Sequence, residues 1–69
     1  MEKIGQKIKR IRQEKGFTQL SIYDKNQSLI AQIEGKNYKS NPTSSTLTNI
    51  AKGLEISFSE LIKDTDWKE

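Results

Sequence analysis

The 69-residue chain has no cysteine and no histidine. The first absence excludes a disulfide scaffold and a thiolate metal site, and it makes a reducing cytoplasm the expected compartment. The second removes imidazole as a general base and as a zinc ligand. Carboxylates, lysines and hydroxyls are the catalytic groups that remain. They form no recognisable carboxylate pair, metal-ligand set or activated nucleophile, so neither catalysis nor a bound cofactor is expected. Long apolar runs are missing as well. Met1-Glu2-Lys3-Ile4 opens no hydrophobic segment of signal-peptide length, and no stretch is long enough to span a membrane. One proline and four glycines supply little punctuation. With no repeat, low-complexity tract or long linker, the chain reads as one unit. A chain of this length buries only about 60% of the surface its unfolded form exposes, enough for one small core. One domain over residues 1–69 is therefore expected, with its core over 4–62 and a short extension over 63–69. No room is left for a unit that senses a small-molecule ligand.

What the chain does have is unevenly placed charge. Twelve basic residues against nine acidic ones give a net charge of +3. Six of the basic residues fall between Lys3 and Lys15, accompanied by a single acid, Glu14. The C-terminal quarter is acidic, with Glu55, Glu60, Asp64, Asp66 and Glu69. This distribution predicts one positive side and one negative side, as suits a molecule that meets phosphates on one side only. A solvated helix face is the plain alternative.

Apolar periodicity predicts an all-α chain of five short helices. Ile4, Ile8 and Ile11 recur at helical spacing with Lys3, Lys7 and Arg10 on another face, predicting a first helix over 2–15 that stops at Gly16. Thr18 offers a cap to a second helix reaching Tyr23 or Asp24. Asn26 offers one to a third over 27–34, with Ile30 and Ile33 inward and Gln27, Ser28 and Gln32 elsewhere. Gly35 ends it, and a polar loop runs to Pro42. The Thr43-Ser44-Ser45-Thr46 run caps a fourth helix carrying Leu47, Ile50, Ala51 and Leu54, slightly weakened by Gly53. Ser57 or Ser59 starts a fifth, with Phe58, Leu61 and Ile62 as its apolar positions.

In the middle of the chain stand Gly16-Phe17-Thr18-Gln19, then Asn26 through Gly35, then Asn41-Pro42. Two short helices, a tight turn and an amide-bearing helix start are the parts of a helix-turn-helix. On Ile4-Gly5, Ile8, Ile11-Arg12, Lys15 to Gln19, Ile30, Ile33-Glu34, Asn41-Pro42, Leu47, Ile50-Ala51, Leu54 and Ile56 to Leu61, the chain resembles the phage repressor and Cro family of transcriptional regulators. This group is also named after the xenobiotic response regulator. The resemblance implies a compact five-helix, lambda-repressor-like domain. Its second and third helices would bind double-stranded DNA, usually as a homodimer on a palindromic operator. The spacing from Thr18-Gln19 to Ile33-Glu34 is shorter than is usual in the family. If the shortening falls near the start of the second helix, Leu20-Ser21 takes the large-small core pair, and if it falls in the turn, Ile22-Tyr23 takes it. The first is the preferred expectation, because Tyr23 is too bulky where two helices approach closely. The shortening also keeps open a second function: a protein-interaction module, such as an anti-repressor or antitoxin partner, that retains the fold without reading DNA.

The expected DNA contacts are Gln19, Asn26, Gln27, Ser28, Leu29 and Gln32. A glutamine amide can bond adenine through N7 and N6 as a bidentate pair. The resemblance gives that part to Gln27, with Gln19 orienting it and contacting a phosphate. Ser28 serves a base edge, a phosphate or only its own backbone. Leu29 either touches a thymine methyl or packs in the core. Lys36, Asn37, Tyr38 and Lys39 resemble the family's loop that grips the sugar-phosphate backbone, which contributes affinity and not sequence choice. Arg12 and Glu34 match a structural ion pair of the family. Leu61, Ile62 and Trp67 are candidates for dimer contact, with Trp67 alternatively folding back over the core.

Overall fold

Local chemistry sets most helix boundaries. In the computed structural model, which describes residues 1–35 and 42–68, five helices follow one another. They are α1 (Ile4–Lys15), α2 (Gln19–Ile22), α3 (Gln27–Glu34), α4 (Ser44–Leu54) and α5 (Phe58–Ile62). The last four each begin with a short polar side chain that accepts from a backbone N–H two or three residues into the helix. Thr18 accepts from Ser21, Asn26 from Leu29, Thr43 from Thr46 and Ser57 from Glu60. A cap of this kind is worth about 1 kcal/mol, a large share of the stability of a four- or five-residue helix. The fifth helix starts from Ser57, not Ser59. The second ends at Ile22, short of Tyr23 and Asp24.

The first helix starts at Ile4 instead of residue 2, because Glu2 is engaged elsewhere. Its N–H donates to the carbonyl of Asp64 at 3.1 Å, and its carbonyl accepts from the N–H of Asp66 at 2.9 Å. Lys3 provides no side-chain cap. The N–H of Ile4 donates instead to Oδ1 of Asp66, 62 residues away, at 2.9 Å. A carboxylate at that end also complements the helix dipole. The extension after α5 is thus part of the packed unit. Gly16, with φ 74°, ends α1.

The core is aliphatic. Ile4, Ile8 and Ile11 of α1 meet Ile30 and Ile33 of α3, Leu47, Ile50, Ala51 and Leu54 of α4, and Leu61 of α5. The Cα radius of gyration, 10.5 Å, agrees with the roughly 11 Å expected of a compact chain of this length. Two close approaches depend on glycine. A Cβ built on Gly53 would run into the carbonyl of Ile22, and one on Gly5 into the carbonyl of Ile33. Gly53 therefore weakens α4 locally so that α2 can lie against it, and Gly5 does the same for α1 against α3.

Three expectations are corrected. In α2 the inward residue is Ile22, 2% exposed, whereas Leu20 is 50% exposed and Ser21 faces solvent. The small residue at the close contact comes from α4, as Gly53, so α2 need not supply one. Ser21 belongs to the cap instead, its hydroxyl donating to the carbonyl of Thr18 at 2.8 Å. Lys7, placed on the polar face of α1, is only 7% exposed. Its ammonium donates to the carbonyls of Glu60 at 2.7 Å and Lys63 at 2.6 Å, at the C-terminal end of α5. A cation there satisfies carbonyls left without helical partners and meets the negative end of the helix dipole. Leu61, a candidate for dimer contact, is completely buried, because it faces α1 and α4 from the inner side of α5.

Candidate nucleic-acid interface

Residues 23–26 turn the chain from α2 into α3, and both helices rest on other parts of the domain through their apolar sides. Ile22 seats α2 against α4, while Ile30 and Ile33 seat α3 on the core. The opposite side of α3 carries Gln27, Ser28, Ala31 and Gln32, all exposed. No hydrogen bond among the described residues engages the side chains of Gln27, Ser28 or Gln32. Two primary amides and a hydroxyl are thus free to bond a polar surface, and the capped start of α3 puts two of them in its first turn.

The orientation of this surface is held from behind by three polar side chains. Arg12 of α1 grips Glu34 bidentately, with Nε to Oε2 at 2.8 Å and Nη2 to Oε1 at 2.9 Å. Its Nη1 donates to the carbonyl of Phe17, in the connection to α2, at 3.0 Å. The carboxylate also accepts from Nε2 of Gln19 at 3.2 Å. The side chains of Arg12 and Glu34 are 13% and 4% exposed, so this pair is largely withdrawn from water. Hydrogen bonding to Glu34 raises the Arg12 pKa above its ordinary value, against the opposing effect of burial. The Arg12–Glu34 pair at the end of α3 therefore ties together α1 and the start of α2 through the carboxylate and the α1–α2 connection through the guanidinium. Gln19, expected to orient Gln27, spends an amide donor on Glu34.

The remaining candidates are placed as follows. Asn26 is exposed, and its side chain caps α3. Leu29 is half-buried and packs against the core, the second of its two expected roles. Lys36, Asn37, Tyr38 and Lys39 lie outside the described residues. Ile62 is half-buried against the core. Trp67 folds back: its indole Nε1 donates to the carbonyl of Pro42 at 2.7 Å, and its ring meets Phe58 edge-on with centroids 5.6 Å apart.

Charge is more internally committed than the composition implied. Of the six basic residues between Lys3 and Lys15, Lys7 bonds carbonyls, Arg10 pairs with Glu2 and Glu14, and Arg12 pairs with Glu34. Lys3, Lys9 and Lys15 are exposed. The hydrogen bond from Arg10 holds the Glu2 carboxyl below its ordinary value, and the same contact raises Arg10. Two features of the site went unnoticed in the sequence. Ala31 stands on the exposed side of α3, a position that the 27, 31 spacing implied. Lys7 leaves the basic face, which no local pattern signalled.

Among the described residues no helix is long and apolar enough to cross a membrane, and no cluster of three or more acidic side chains has the geometry to hold a metal ion. Comparison with protein-family models finds no match, and comparison with curated proteins finds none either.

Proposed function

We propose that this chain is a sequence-specific DNA-binding transcriptional regulator of the phage repressor and Cro type, a repressor in function. In this reading α2, the turn and α3 form the helix-turn-helix of a lambda-repressor-like domain, and α3 enters the major groove. The observation that carries it is the outer side of α3. Gln27, Ser28 and Gln32 stand exposed, with side chains unbonded among the described residues, on a helix whose other side is locked to the core and whose end is clamped by Arg12 and Glu34. A helix held in a fixed orientation, with amides projecting from its outer side, suits base-edge hydrogen bonding, because a mobile reader helix would lose in ordering what it gains in contact. Gln27 takes adenine, Ser28 and Gln32 take neighbouring base edges, and lysines supply phosphate contacts and the salt dependence that goes with them. A half-site read by one short helix is small, so a homodimer on a two-fold symmetric operator provides the remaining specificity. No catalytic role and no cofactor belong to this reading.

The test is a binding selection on a randomised duplex library, run with the native chain and with Gln27→Ala. Native enrichment of a symmetric sequence, relaxed in the variant at one A·T pair per half-site, is the expected result. The protein-interaction reading draws on the half-exposed Leu20, a large apolar side chain on a four-residue α2. It would take over if the native chain enriched no sequence even at low salt.

A further inference from the structure

We infer that Ala31 is a specificity-determining residue that reads the C5-methyl group of a thymine. The inference rests on the DNA-binding reading and adds to it a base and an atom. Leu29 and Ala31 are the residues of α3 able to offer an apolar group near the polar readers. Leu29 packs against the core, whereas Ala31 is exposed. At about 100° per residue, Ala31 lies roughly 40° around the helix from Gln27 and about 60° from Ser28, between the two and one turn further on. Its methyl is the one apolar side chain of α3 that is exposed. Thymine's methyl is in turn the one apolar feature that bases present in the major groove.

The short side chain matters as much as its polarity. With alanine at the middle of the outer side, the α3 backbone can approach the groove floor there, while the longer amides of Gln27 and Gln32 reach past it on either side. Ala31 lies about 6 Å along the helix axis from Gln27. At 3.4 Å per base pair, the thymine is expected within about two base pairs of the adenine taken by Gln27.

Exchanging thymine for deoxyuridine removes only the methyl and leaves every hydrogen-bonding group in place. We would take the enriched duplex, replace each thymine singly by deoxyuridine, and measure dissociation constants by fluorescence anisotropy. The proteins compared are the native chain, Ala31→Gly and Leu29→Ala. The native chain should lose about four-fold at one thymine per half-site, the worth of one buried methyl. Ala31→Gly should bind the thymine and uracil duplexes equally at that position, and Leu29→Ala should keep the native ratio. Because each ratio is taken within one protein, any destabilisation of α3 by glycine cancels. The inference is overturned if no thymine is methyl-sensitive, or if the sensitivity survives in Ala31→Gly. It also falls if sensitivity disappears in Leu29→Ala alone, which would assign the methyl to Leu29. In those cases a selected sequence that relaxes with Gln27→Ala still leaves the DNA-binding reading standing. If no sequence is selected at all, both fall together.

Discussion

Replacing Arg12 with methionine should strongly destabilise the chain, while replacing Arg12 and Glu34 together should not. The Glu34 carboxylate has a side-chain exposure of 4% and accepts from Nε and Nη2 of Arg12, at 2.8 and 2.9 Å, and from Gln19 at 3.2 Å. Removing the guanidinium leaves that charge withdrawn from water with one neutral donor, a loss of about 3–5 kcal/mol. A chain of this length has a total stability of only about 3–10 kcal/mol. At least about a third of it therefore disappears, and the melting temperature falls by well over 10 °C. The double variant Arg12→Met/Glu34→Leu removes both charges and fills the space with apolar groups. Such exchanges are commonly neutral or stabilising, so the double variant should be at least about 2 kcal/mol more stable than Arg12→Met. Urea unfolding followed by circular dichroism gives all four corners of the cycle, and repeating it in about 0.5 M salt should hardly change the coupling of so sheltered a pair. A loss under about 1 kcal/mol for Arg12→Met, the range of an exposed pair, would refute the reasoning. So would a double variant no better than the single.

Gly53→Ala separates helix propensity from packing by sign. Propensity alone predicts a gain of up to about 1 kcal/mol, whereas the collision with the Ile22 carbonyl predicts a loss of about 1–3 kcal/mol in urea titrations. Lys7→Met should lose about 1–3 kcal/mol by thermal denaturation, since two charge-assisted bonds to the end of α5 vanish; a neutral result would mean that those carbonyls find water instead. The Glu2 carboxyl, held below its ordinary value of 4.5 by Arg10, stabilises the fold above that pH and ceases to do so as the pH falls through its folded pKa. The melting temperature of Glu2→Gln should accordingly lie slightly below the native one at neutral pH, converge with it in acid, and show a difference that shrinks with salt; parallel curves at all pH values would contradict this.

Much of the helical layout was legible because its signals act within one turn. Thr18, Asn26, Thr43 and Ser57 cap helices by bonding an N–H three residues on, and such a contact exists as soon as the turn forms. Isoleucines at helical spacing in α1 and α3 likewise name their own buried sides, which leaves Gln27, Ser28 and Gln32 outside. Residue types and spacing therefore sufficed for five helices and for the polar outer side of α3. Only tertiary structure could decide among residues whose partners are distant in sequence. Leu20 and Ile22 are both large apolar side chains in one short segment, and the position of Gly53 selects Ile22. Lys7 looks like any lysine of an amphipathic helix until the end of α5, 53 residues away, brings carbonyls to its ammonium. Trp67 reads equally as surface or core until the extension docks, with Asp66 on the start of α1 and Trp67 on Pro42, and Leu61 becomes core only because α5 packs on α1 and α4. Short-range hydrogen bonds and periodicity are properties of a segment, whereas burial and electrostatic partnership are properties of what folds against it.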